Sequence, residues 1–210
     1  MRNIHKGDLS DSPDDTPQPK KIRRRLLDPV TDDARLKRRV IGSRINKQGC
    51  WAYNAPGPGG WGTALARGKL QGQRMTEVQV LFSMQPKTRS SFHFGGRIVF
   101  DQAGFVYLTL GDRGDKDRAQ KMNDHAGSVI RLHDDGRVPN DNPFVQRAGA
   151  LPEKWTLGHR NMQGAAINPQ TGELWTHEHG PQGGDEVNVI RPGLNYGWPV
   201  VTYGVNYGLG

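Results

Sequence analysis

The chain has one cysteine, Cys50, in 210 residues. A single thiol excludes a disulfide framework and a cysteine-built zinc site. No apolar run approaches the roughly 18 residues of a membrane-spanning helix. The first fifty residues also lack the continuous apolar stretch of a secretory signal peptide, so none is expected. Apolar residues are scarce, at 34%, whereas 28 glycines and 14 prolines fill a fifth of the chain. That balance argues against a helical bundle and for short strands joined by many turns.

The positive charge is not spread evenly. Residues 1–50 hold 13 Lys and Arg against 7 Asp and Glu, a net of +6, whereas residues 51–210 hold 16 against 14, a net of +2. The basic residues form two clusters, Lys20–Arg25 and Arg35–Arg39. They could form a phosphate-binding arm, with salt-dependent affinity for nucleic acid. No aromatic residue lies among them to stack on a base, and the segment has too few apolar residues to fold alone, so a solvated basic tail is expected and nucleic-acid binding is not. The domain reading is therefore 1–50 as a basic, disordered or foreign segment, and 51–210 as the folded part.

From Trp51 the texture is that of short strands between turns. Trp51–Tyr53 and Thr63–Ala66 flank a turn-rich Asn54–Gly62, and Val78–Phe82 alternates. Arg97–Phe100, a turn at Asp101–Gly104 and Phe105–Leu110 form a hairpin. Val129–Leu132 with Arg137-Val138, turning at His133–Gly136, is expected as a second. Ala165–Ile167 with Glu173–His177, turning at Asn168–Gly172, is expected as a third. The hairpin glycines Gly104, Gly136 and Gly172 lie 32 and 36 residues apart. Repeats at that interval point to a β-propeller or another repeating antiparallel sheet. One short helix is expected near Lys116–Asp124.

Several motifs carry chemistry only in the right context. Gly57–Gly62 spells G-x-G-x-x-G, but Pro58 and a following strand rather than a helix make it a loop, not a dinucleotide site. Arg113-Gly114-Asp115 is a triplet that arises by chance. His177-Glu178-His179 puts two imidazoles on one face of a strand, as a metal seed or as ordinary hydrogen-bonded histidines. His93–Arg97 precedes a strand and Gly111–Asp115 follows its hairpin partner, so Asp112 can return to the end where His93 lies. A carboxylate beside an imidazole suits a general base, and it equally suits a structural hydrogen bond. Gly158–Gly164 supplies Arg160 and Asn161 for a planar anion. Gly180–Glu186 supplies carbonyls and carboxylates that suit a hard cation such as calcium.

In order, His93-Phe94-Gly95-Gly96-Arg97, Leu110–Gly114, Gly158–Gly164, Glu178–Glu186 and Asn195–Pro199 resemble the soluble pyrroloquinoline-quinone (PQQ)-dependent glucose and aldose sugar dehydrogenases, a six-bladed β-propeller family. The resemblance covers about residues 51–210. It implies an all-β fold with PQQ and calcium as cofactors, and oxidation of an aldose sugar to its lactone with electrons passed to an external acceptor. By the same resemblance His93 is the catalytic base, Asp112 orients it, and Arg160 and Asn161 contact the quinone, with Arg160 stabilising developing negative charge. Tyr207 is a further quinone contact. Gly180 and Pro181 offer carbonyls to the cofactor's calcium, while Glu186 and Tyr196 belong to a separate structural calcium site. A periplasmic or exported location is implied too. The chain departs from the family upstream of residue 51, where earlier strands and a Gln-containing segment are expected. It departs again after Gly210, where further blades carry a Lys and Arg clamp on the cofactor. An incomplete copy of about three blades is expected, either as part of a dehydrogenase or as a non-catalytic fragment with residual calcium or ligand binding.

Overall fold

The computed structural model describes residues 41–45, 48–71 and 73–207. The basic clusters Lys20–Arg25 and Arg35–Arg39 lie outside the described residues. Strands β1 (Ile41–Ile45), β2 (Gln48–Gly57), β3 (Gly60–Gln71) and β4 (Arg74–Ser83) form one antiparallel meander. A second sheet takes β5 (Ile98–Phe100), β6 (Phe105–Leu110), β7 (Ser128–His133) and β8 (Lys154–Thr156) in the same order. The third has β9 (Met162–Ile167), β10 (Leu174–Glu178) and β11 (Glu186–Ile190). Among the described residues every pairing of named strands is between chain neighbours and antiparallel, as in successive blades of a β-propeller. Among the described residues the helical element is a single 3₁₀ turn, Lys116–Gln120, within the span where a helix was expected.

The middle blade explains the stacking. In β6, Val106, Leu108 and Leu110 point to one face and join Leu65, Phe82 and Met84 of the first blade in the main core. Tyr107 points to the other face and packs with Met162, Leu174 and Ile190 of the third. A strand covered on both sides reads apolar almost throughout, as Phe-Val-Tyr-Leu-Thr-Leu does. β10 has only one covered face, so Leu174, Thr176 and Glu178 are buried while Trp175 and His177 are exposed.

Hairpins β5–β6 and β9–β10 form where the sequence places them. Two expectations are corrected. The turn around Asn54–Gly62 shrinks to Pro58-Gly59, because Gly59 and Gly60 adopt positive φ (85° and 131°) and let a tight hairpin form. The G-x-G-x-x-G match is thus a hairpin tip between long strands. The second expected hairpin turns at His133–Gly136, but Arg137-Val138 adds no strand. Pro139 follows at once and cannot donate to a ladder. β7 pairs instead with Lys154–Thr156, and the Asn142 side chain bridges the Arg131 and Pro152 carbonyls at 3.0 Å each.

Candidate functional site

The antiparallel order brings several loops to one end of the blades. His93 precedes β5 and Asp112 follows β6, which are hairpin partners, so the two reach the same end. Arg160 and Asn161 precede β9, and His179–Asp185 follows β10, which again share an end. Asp112 N–H donates to the Arg160 carbonyl at 2.8 Å and joins the two groups of loops.

His93 Nδ1 lies 2.6 Å from Asp112 Oδ1. The carboxylate is buried and also accepts from Gly114 N–H at 2.7 Å and from Trp198 Nε1 at 2.8 Å. With Nδ1 donating to the acid, Nε2 carries the lone pair. The imidazole side chain keeps 19% of its surface exposed and lines a cavity. His93 itself sits at φ 48°, a left-handed conformation uncommon for a residue with a Cβ. Close packing holds its loop: Gly96 N–H donates to the Thr109 carbonyl at 2.7 Å. Gly111 is required there because a Cβ at that position would run into the His93 carbonyl.

A cavity of about 520 Å³ opens at this point, lined by His93, Asp112, Lys116, Arg160, Pro181 and Tyr207 among others. A neighbouring cavity of about 490 Å³ shares Phe92 and His93 and is lined by Asn161, Gln163 and His179. His93 therefore stands between two hollows. The Arg160 guanidinium donates to the His179 carbonyl at 3.1 Å and lies 5.4 Å from the Trp198 ring, while its buried Nε has no partner. Tyr207 donates its hydroxyl to the Pro181 carbonyl at 3.2 Å. Gly180 N–H donates to Asp185 at 3.0 Å. That bond first, then the His179 imidazole beside it, holds the Asp185 carboxyl below its usual range.

The remaining expected residues lie elsewhere. The Tyr196 hydroxyl donates to the Val189 carbonyl at 2.6 Å and accepts from Arg191 N–H at 2.9 Å. Glu186 accepts from Asn188 at 3.3 Å. Val189 is three residues further along β11, about 10 Å at the strand rise, so that hydroxyl and the Glu186 carboxylate do not meet. His177 and His179 separate as well, because β10 ends at Glu178. His177 sits against Gly164, and His179 turns to Asp185 at 3.4 Å. Among the described residues no three His, Cys, Asp or Glu side chains gather as a metal group.

Two supports were not singled out from sequence. Trp198, inside the Asn195–Pro199 motif, reaches Asp112 across 86 residues. Glu178, the middle of the His-Glu-His triplet, is buried. It accepts from His159 Nδ1 at 2.8 Å, from Arg160 N–H at 2.6 Å and from Asn188 at 3.1 Å. Burial alone would raise the Glu178 carboxyl, but the His159 charge and hydrogen bond, with the N–H groups of Arg160 and Asn161, bring it below its usual range. Its place on the inward side of β10 was the available signal.

A family model described as glucose/sorbosone dehydrogenase matches residues 47–210. Aldose sugar dehydrogenase YliI of Escherichia coli (strain K12) is 44% identical over 148 residues, covering 70% of this chain and 40% of its own length. A crystal structure of glucose dehydrogenase superposes with TM-score 0.76 at 43% identity, covering 80% of this chain and 50% of that one. The PQQ-bound form of the aldose sugar dehydrogenase of Streptomyces coelicolor superposes with TM-score 0.62 at 28% identity, covering 79% and 46%. The chain thus spans half or less of the length of these relatives. Among the described residues no helix is long and apolar enough to cross a membrane.

Proposed function

The chain belongs to the glucose/sorbosone dehydrogenase family, and we propose that it carries the base-bearing part of a PQQ-dependent site that oxidises aldose sugars to lactones. The observation that carries this reading is the His93–Asp112 pair at 2.6 Å, opening on a cavity shared with Arg160 and Pro181.

The residues present fit the chemistry of a planar, carboxylated quinone. Arg160 has a buried Nε without a partner beside the cavity, and Lys116 lines the same wall. Trp198 and Phe92 add flat apolar surface. The Pro181 carbonyl accepts one hydrogen bond from Tyr207 and keeps a second lone pair. With the Gly180 carbonyl it could serve a calcium ion, the remaining oxygens coming from the cofactor and water. For the second proposed calcium, Glu186 would contribute its carboxylate and Tyr196 its backbone carbonyl, since the phenol is committed to Val189 and Arg191.

A bound quinone would supply the acceptor for the hydride leaving the sugar's anomeric carbon. This chain's residues handle the proton. His93 Nε2 takes it from the anomeric hydroxyl as the carbonyl forms. Asp112 keeps Nδ1 protonated and stabilises the resulting imidazolium. Arg160 lies where negative charge on a neighbouring oxygen would be stabilised. Asn161, in the adjoining hollow, can donate from its amide to the same ligand. An external electron acceptor would then collect the reducing equivalents, and a periplasmic or exported location accompanies the reading.

The test is dye-coupled oxidation of an aldose after adding PQQ and calcium. His93→Ala should lower kcat by roughly 10²- to 10⁴-fold while leaving PQQ binding, followed by its absorbance, within about twofold. Unchanged turnover in that variant removes His93 from the role. PQQ or calcium binding without any turnover in the parent chain favours the second reading, a ligand-binding blade module. The two adjoining cavities that meet at His93 are the observation behind that alternative.

A further inference from the structure

The reading of His93 as a base raises the question of what keeps its ring in place. At φ 48° its backbone is in a sparsely populated, strained region that persists only where the surroundings impose it. Thr63 Oγ1 donates to the Phe94 carbonyl at 2.8 Å, and Gly96 is tied to Thr109. One side chain touches the segment on both sides of the histidine. Arg113 donates from Nη2 to the Ser90 carbonyl at 2.6 Å, and its guanidinium lies 3.7 Å above the Phe94 ring.

Arg113 is an expensive residue to place there. It is 1% exposed, and its Nε and Nη1 find no acceptor. Burial, reinforced by the charge of Arg118 and opposed by Asp112, lowers its pKa to about 10. Its own backbone is also left-handed, at φ 63°, followed by Gly114 at 75°. That turn lets Gly114 N–H reach Asp112 Oδ1 while the Arg113 side chain reaches Ser90 and Phe94. A group used only to fill space would be apolar at such a site, because buried polar atoms without partners destabilise.

We propose that Arg113 is a positioning residue for His93: its guanidinium grips Ser90 and Phe94, on either side of the histidine, and so holds the imidazole on Asp112 with Nε2 facing the cavity. The proposal deepens the dehydrogenase reading, on which the use of that nitrogen rests. Chemically it needs the planar fork of arginine, which can stack on a ring and donate in its own plane at once.

The experiment is ¹⁵N-histidine NMR of the full chain, read at a pH where the imidazoles are neutral. The parent should show His93 as one fixed tautomer, Nδ1–H with a bare Nε2. Arg113→Met should lose that pattern and give averaged ring-nitrogen shifts at His93. His159, held between Glu178 and Thr156, should keep its own fixed pattern in the same spectrum and so report an intact fold. A His93 pattern unchanged by Arg113→Met overturns the proposal. If that variant does not fold, Arg113→Lys decides. It keeps the charge and stem but cannot stack flat while donating to Ser90, so it should also lose the His93 pattern, and retention overturns the proposal. The readout needs no turnover. A chain that oxidises no sugar yet shows the His93 loss upholds the positioning role and sinks the dehydrogenase reading alone.

Discussion

Trp198 Nε1 donates to Asp112 Oδ2 at 2.8 Å, so the acid behind His93 is held from the far side by a residue 86 positions later in the chain. The two oxygens of Asp112 divide their duties. Oδ1 serves the His93 ring and the Gly114 N–H, and Oδ2 serves the indole. A carboxylate anchored on both oxygens cannot rotate, and the imidazole on it inherits that orientation.

Trp198→Phe keeps an aromatic ring but removes this donor and leaves a buried carboxylate oxygen short of a partner. The expected loss is about 1–3 kcal/mol of stability, measured as a lower urea midpoint with unchanged slope. A midpoint equal to that of the parent would show that water replaces the indole without consequence.

Glu178 ties Arg160 to His159, and its carboxyl lies below the usual range in the folded chain. A carboxyl depressed by folding contributes stability that is present above its unfolded pKa of about 4.5 and is lost as pH falls through the lower folded value. Stability measured from pH 6 downward should therefore fall less steeply in Glu178→Gln than in the parent. Parallel curves would show that the pair contributes nothing to acid sensitivity.

Lys154 is fully buried, with its ammonium donating to the carbonyls of Lys121 at 2.8 Å and Asp124 at 2.7 Å. Burial lowers its pKa to about 8 from the ordinary 10.5. The slope with pH has the same sign as for Glu178, but this group opposes folding at neutral pH instead of favouring it. The unfolded chain binds the extra proton between those values, so this group makes stability rise with pH from about 8 to 10.5, by on the order of 3 kcal/mol. Lys154→Met should remove that component, seen as a smaller alkaline gain in the urea midpoint than the parent shows. An equal gain would assign the rise to other groups.

The first and third hairpins of the second and third blades were legible because each has a strand-turn-strand pattern with a glycine at the turn. The Arg137-Val138 strand was misplaced because the strand that pairs with β7, Lys154–Thr156, lies beyond a loop whose Asn142 side chain bridges the Arg131 and Pro152 carbonyls. Local pattern carries no information about such a substitution. His93, Asp112, Arg160, Pro181 and Tyr207 were all named from sequence, and they line one cavity. Glu178 was named in the His-Glu-His triplet and at the head of the Glu178–Glu186 motif but given no role, since alternation in β10 shows which way it points but not what it meets.

By itself the order of residues determined the class of fold, the blade-like spacing and which imidazole, carboxyl and guanidinium groups were candidates for a site, because these depend on periodicity, residue type and motif order. Tertiary structure decided which of those groups meet. Asp112 meets Trp198, Arg113 reaches Ser90 and Phe94, and Glu178 binds the Arg160 backbone only because antiparallel blades return distant loops to one end. The left-handed turn at His93 belongs to the same category: its strain is set by contacts from several blades, and no single stretch of chain encodes them.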